Sequence, residues 1–269
     1  MSHNKSTTLA DEGFLSDETA AVIETVRTKY EPWSSEIRVL NELLVRGQYG
    51  ITIHIQNTRE IVSAALFVRV LVHSQASVLL IERGMASSAR AMARCALEAL
   101  FSLGACVREP ARALAFVYAD ELDKVRKAKH LTEVVDTQTQ ETVAKSALNK
   151  ILADAQRRIT ELGAKKITAF DMAKAADLKD MYLTAYDFLS GAVHSSSRDI
   201  EQHFQVDNAG NLHALINEPV LEGLDKLYLI LGEILVVCGR FLGEVFGFNT
   251  TECEASMARL HTLWKKHAC

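Results

Sequence analysis

Proline and glycine are scarce here, three and thirteen among 269 residues. A turn-rich β fold spends both at its hairpins, so their shortage favours long helices. The five cysteines, Cys95, Cys106, Cys238, Cys253 and Cys269, include no CxxC pair. Reduced thiols in the cytosol are then the simplest reading. Excess basic charge is missing too: the formal net charge is −4. No global positive field exists to hold nucleic acid, and such a contact would need a local patch. The N-terminus lacks a basic segment followed by an apolar run, so no secretion signal is read. Phosphate-loop, dinucleotide-loop, HExxH and GxSxG patterns do not occur, which removes support for nucleotide-binding, zincin and serine-hydrolase chemistry. Cys253, His261, His267 and Cys269 match no common zinc spacing. No cofactor and no metal are expected.

What the chain does have is apolar length. Hydrophobic residues make up 48% and charged residues 24%, enough to bury a substantial core. Two runs are long or apolar enough to suggest membrane spans. Ile61–Ile81 is interrupted by Arg69, His73 and Gln75, and Leu227–Gly239 is short and holds Glu233. Both read as buried helices of a bundle, so no membrane contact is expected.

Periodicity and capping signals divide the chain as follows. Residues 1–15 are polar and aperiodic and read as a flexible tail; residues 16–269 read as one helical domain. Ser16 is the expected cap of a helix ending near Lys29, and Ser34 or Ser35 that of a second reaching Arg46. A long apolar helix ends at Arg83-Gly84, a basic residue followed by glycine. Ser87 or Ser88 opens the next, and Pro110 starts another running to about Val135. After a polar break at 136–140, Leu148, Leu152, Ala155, Ile159 and Leu162 form a stripe that should pack on Leu114, Tyr118, Leu122 and Val125 as a helical hairpin. A helix from about Asp177 turns Met181, Tyr182, Ala185, Phe188, Leu189 and Ala192 inward. "FQV" and "LHALI" flank "DNAGN", the one β-hairpin signal, over residues 203–216. Two helices close the chain. The fold class is all-α, a multi-helix bundle with one small β-hairpin.

Polar residues on apolar helices are the candidates for chemistry. Arg90, Arg94 and Glu98 fall at i, i+4 and i+8 among Ala91, Met92, Ala93, Cys95, Ala96 and Leu97. A buried Arg94 must find an anion, and Glu98 is one turn away. Such a pair either registers two helices or builds a pocket where Arg94 binds an anion and Glu98 or His194 moves a proton. His194 stands four residues after Ser190, where it either complements a helix C-terminus or lines that pocket.

Together, "ERGMASSARAMARCALEALF" and "YLTAYDFLSGAVHSS" resemble a bacterial helical family of unassigned activity, domain-of-unknown-function family 5677, over roughly residues 50–220. The family signature of Arg, Glu and Ser-x3-His falls on Arg94, Glu98, Ser190 and His194. A weaker likeness lies just downstream, where Arg198-Asp199-Ile200-Glu201-Gln202-His203 resembles the Arg-x4-His pattern of HEPN ribonucleases. That resemblance implies a toxin or phage-defence endoribonuclease, an RNA substrate, no metal, and a composite site across a homodimer. Arg198 and His203 would be catalytic: histidine takes the proton of a ribose 2′-hydroxyl while arginine stabilises charge on phosphorus. His203 also immediately precedes the hairpin, where it could be a plain surface residue. The alternative function is a non-catalytic interaction or small-anion-sensing module.

Overall fold

A computed structural model describes residues 6–138, 142–163, 167–193, 200–201, 203–207 and 210–267. Two short elements, α1 (Leu9–Glu12) and a 3-10 turn (Gly13–Leu15), precede α2 (Thr19–Lys29), α3 (Glu31–Gln48), α4 (Thr58–Glu82), α5 (Ala86–Arg108), α6 (Pro110–Gln138) and α7 (Thr142–Leu162). The second half holds α8 (Ala169–Ala175), α9 (Lys179–Met181), a π-helical turn (Tyr182–Tyr186), α10 (Asp187–Val193), strands β1 (Phe204–Val206) and β2 (Leu212–Leu215), α11 (Asp225–Phe246) and α12 (Thr251–His267). The protein is all-α with one small antiparallel hairpin.

Burial follows from the apolar runs. α11 is buried on most of its circumference, with Leu227, Tyr228, Leu231, Ile234, Leu235, Cys238 and Phe241 among its inward residues. It packs on α3, α4, α5 and α12. α4 and α5 form the most extensive helix pair, closed by Leu66, Phe67, Val70 and Ile81 against Ala89, Ala93, Ala96, Leu97 and Leu100. α4 is the one described helix long and apolar enough to cross a membrane, and 44% of its most apolar window is buried inside the protein. α6 and α7 pair as a hairpin, with Val125, Ala128 and Ala155 buried among the described residues.

Several boundaries differ from the sequence reading, for local reasons. Ser16 closes the 3-10 turn through its backbone amide rather than opening α2; its hydroxyl is buried without a partner among the described residues, and Glu18 precedes α2 without a side-chain cap. The capping box lies earlier, where Thr8 and Asp11 bond each other's backbone amides and start α1 inside the stretch read as a tail. α3 starts at Glu31, ahead of the expected Ser34 or Ser35 cap, and Pro32 fits its first turn because a proline there loses no helical hydrogen bond. Asn57, unflagged in sequence, caps α4 through the amide of Glu60. α6 runs on to Gln138, through the first part of the expected polar break. The hairpin pairs Phe204 with Leu215 and Gln205 with Ala214, then bulges before Val206 meets Leu212. The tip residues 208 and 209 lie outside the described residues.

Gly84 ends α4 as its signature predicts, at φ +70°. A Cβ here would lie 2.6 Å from Pro219 Cβ, and the Gly84 carbonyl accepts the Val220 amide at 2.9 Å. The glycine thus lets the strand leaving the hairpin pass against the α4–α5 corner.

Candidate functional site

Arg94 and Glu98 lie on α5 where the run from Lys179 to Val193 crosses it. Helix α9, the π-turn and α10 follow without a break, and the wide turn stacks Tyr182 on Tyr186 at 4.6 Å between centroids, 17° from parallel. Both rings lean on Phe101 of α5. Tyr186 is thereby set between the two charges. Arg94 Nη2 donates to the Tyr186 hydroxyl at 2.8 Å, and that hydroxyl donates to Glu98 Oε1 at 3.0 Å. Arg94 and Glu98 also meet directly at 3.2 Å, with side chains 12% and 42% exposed. The guanidinium carbon stands 4.7 Å from the Tyr186 ring centre, a cation–π distance. Burial raises the Tyr186 phenol above its ordinary value; the Arg94 bond opposes that, and the Glu98 charge adds to it.

The other sequence candidates do not all converge here. Ser190 turns its hydroxyl back to the Tyr186 carbonyl at 2.6 Å, a bond within its own helix. His194 and Arg198 lie outside the described residues. His203 is exposed at the start of the hairpin, its Nδ1 3.2 Å from the Ile216 carbonyl. It lines a crevice of about 220 Å³ together with Ser87 and Ser88 in the first turn of α5.

Two features escaped the sequence reading. A groove of about 960 Å³ runs between α4 and α6 over a floor from α5. Arg69, His73, Cys95, Glu98 and Ser102 supply its polar atoms, and Ile61, Ala65, Val68, Val72, Phe116 and Val117 its apolar walls. Burial lowers the basicity of His73, and nearby Arg69 lowers it further. The second is a charge cluster where α2, α3 and α4 meet. Glu82 is 1% exposed; Arg27 bonds its Oε2 at 2.8 Å, and Arg38 bonds its Oε1. Only the apolar packing of α4 was legible in advance, because each arginine reaches Glu82 from a distant part of the chain.

A model of the family of unknown function DUF5677 matches residues 60–211, a span that holds the Arg94–Tyr186–Glu98 cluster and most of the groove. Neither a curated protein nor a solved structure matches the chain. The family match names no activity and lends no support to the HEPN resemblance. With more than half of its length matched, the chain belongs to the DUF5677 family.

Proposed function

We propose that this protein is a non-catalytic interaction module that assembles with a second copy of itself through the exposed face of α4. One observation carries the reading. Ile61, Ala65, Val68, Val72, Gln75 and Leu79 are all exposed, and their spacing is 4-3-4-3-4. Regular α-helix drifts off such a repeat, whereas the seam of a left-handed helix pair keeps it. The spacing reads the same from either end. A two-fold antiparallel pair therefore sets Ile61 of one copy beside Leu79 of the other, and Val68 beside Val72.

Arg69 flanks the seam on the α5 side, where Glu98 is 42% exposed. Antiparallel pairing brings like flanks together and sets the two copies' Arg69 side by side near the two-fold axis, where the exposed Glu98 of each copy offsets their repulsion. On this reading the Arg94–Tyr186–Glu98 cluster positions Glu98 at the groove and does no bond-breaking.

Analytical ultracentrifugation tests this. Wild-type protein is expected to show a concentration-dependent monomer–dimer equilibrium, and Val68→Glu/Val72→Glu to stay monomeric with unchanged circular dichroism. A wild-type chain that stays monomeric throughout the micromolar range, or a double variant that dimerises equally well, overturns the proposal.

A second reading, metal-independent RNA cleavage by Arg198 and His203 with Arg94, Glu98, Ser190 and His194 in support, draws on the crevice that His203 shares with Ser87 and Ser88. First-turn amides and hydroxyls of a helix suit a phosphate. The expected result is cleavage of single-stranded RNA in excess EDTA with 2′,3′-cyclic phosphate ends, abolished by His203→Ala and by Arg198→Ala. Intact RNA, or cleavage that survives both variants, removes this reading.

A further inference from the structure

We infer that the pocket between α2, α3 and α4 is a binding site for a small organic monoanion, a carboxylate on a short apolar body. The pocket holds about 300 Å³, at the lower end of small-molecule sites. Arg27 and Arg38 stand at its mouth, roughly half exposed, over the fully buried Glu82. Each guanidinium uses its Nη2 on Glu82, which fixes both groups in place and leaves further N–H donors on each fork.

A second observation points to a ligand independently. Ser74 also lines the pocket, is 1% exposed, and its hydroxyl has no hydrogen-bond partner among the described residues. Buried hydroxyls are rarely left so, and Ser74 belongs to the pocket wall, where a guest would offer it a partner. Asn41 and Gln75, bonded to each other at 2.8 Å, add a polar edge.

The chemistry of the guest follows from charge and lining. Two guanidinium cations and one carboxylate leave a net charge of +1, which one negative charge neutralises. A dianion would overshoot and crowd Glu82. A planar carboxylate matches the guanidinium fork. Ile37, Val78, Leu79 and Leu235 line the rest and suit a hydrocarbon body, not a second charge.

Isothermal titration of the full chain with butyrate, octanoate, benzoate, octanol and inorganic phosphate tests the site. One or more of the three carboxylates is expected to saturate at one site per chain and bind at least about tenfold more tightly than octanol or phosphate. Arg38→Gln removes one fork and is expected to weaken binding by about tenfold or more. Because that change leaves Glu82 with one partner, Arg38→Gln/Glu82→Gln serves as the folded control, checked by circular dichroism, and is expected to bind as weakly. Ser74→Ala should weaken binding a few-fold without lowering the melting temperature, since it removes an unsatisfied buried hydroxyl. No saturable binding by any carboxylate, equal binding of octanol, or full affinity in Arg38→Gln/Glu82→Gln overturns the assignment. Gln75 and Leu79 belong to both the pocket and the α4 seam, so the titration is repeated on Val68→Glu/Val72→Glu, whose changed residues lie outside the pocket and which is expected to bind with the same affinity.

Discussion

Arg94 holds Tyr186 in two ways at once: its Nη2 donates to the phenol oxygen at 2.8 Å, and its charge lies 4.7 Å from the ring centre. The sequence suggested a dry Arg94–Glu98 pair, whose rupture costs roughly 3 to 5 kcal/mol. Glu98 is 42% exposed, so water can take over its solvation, and the Tyr186 hydroxyl loses one donor but keeps its bond to Glu98. Arg94→Ala is therefore expected to cost only about 1 to 3 kcal/mol, and Tyr186→Phe about 1 kcal/mol, by urea denaturation. A loss at Arg94 as large as that of a dry ion pair would refute this solvation argument.

Glu82 calls for the opposite expectation. At 1% exposure it cannot turn to water when its partners go. Arg27→Ala or Arg38→Ala alone leaves one guanidinium in place. Both together bury an unpaired carboxylate, at roughly 3 to 5 kcal/mol, more than the two single losses combined. Adding Glu82→Met should recover much of that loss, because a similar volume returns without a charge. Urea midpoints of the four variants, with unchanged slopes, check this.

A methyl group at position 104 has no room. A Cβ there would lie 2.5 Å from Phe241 Cζ and 2.6 Å from Ala176 Cβ. Helix propensity gains about 1 kcal/mol on Gly→Ala, while overpacking costs typically 1 to 3 kcal/mol. Gly104→Ala should therefore be net destabilising, with a lower melting temperature. A more stable variant would mean that the α5–α8–α11 contact is loosely packed.

Alkali should unfold this protein. Burial raises the phenols of Tyr30, Tyr186 and Tyr228 and pushes the thiols of Cys106 and Cys253 up to about 11 each. Each group keeps its proton longer when folded than when unfolded. Their contribution is present in full below the unfolded values, near 9 for thiols and 10 for phenols, and is lost as pH rises through the raised folded values. The unfolding midpoint should fall steadily above about pH 9. A midpoint flat from pH 8 to 11 would contradict the burial of these groups.

How far the sequence could be read depended on the range of the interaction. Helices set by their own periodicity, such as α4 and α5, and the hairpin around "DNAGN" were legible because the signals are local. The Arg94–Glu98 contact was legible for the same reason, being one turn of one helix. Tyr186 was not, because nothing in the periodicity of 177–192 announces a wider turn. Glu82 was invisible as a cluster: its partners lie 55 and 44 residues away, on helices whose relative placement no local pattern encodes. The heptad on α4 was hidden inside an apolar run, since a core stripe and an exposed stripe on the same helix look alike until one of them is covered.

The π-turn at Tyr182–Tyr186 has a consequence for everything that follows it. A regular helix advances about 100° per residue, and a π-turn absorbs one residue more than an α-turn. It therefore takes up one extra residue while the turns on either side keep their phase. Deleting Leu183, which is exposed, should let the segment close into ordinary α-helix with Tyr182 and Leu189 still turned toward α5. Forcing every residue of the segment into regular helix would instead swing Leu189 away from α5 by about that angle, so the widened turn is what lets one stretch of chain hold both ends against it.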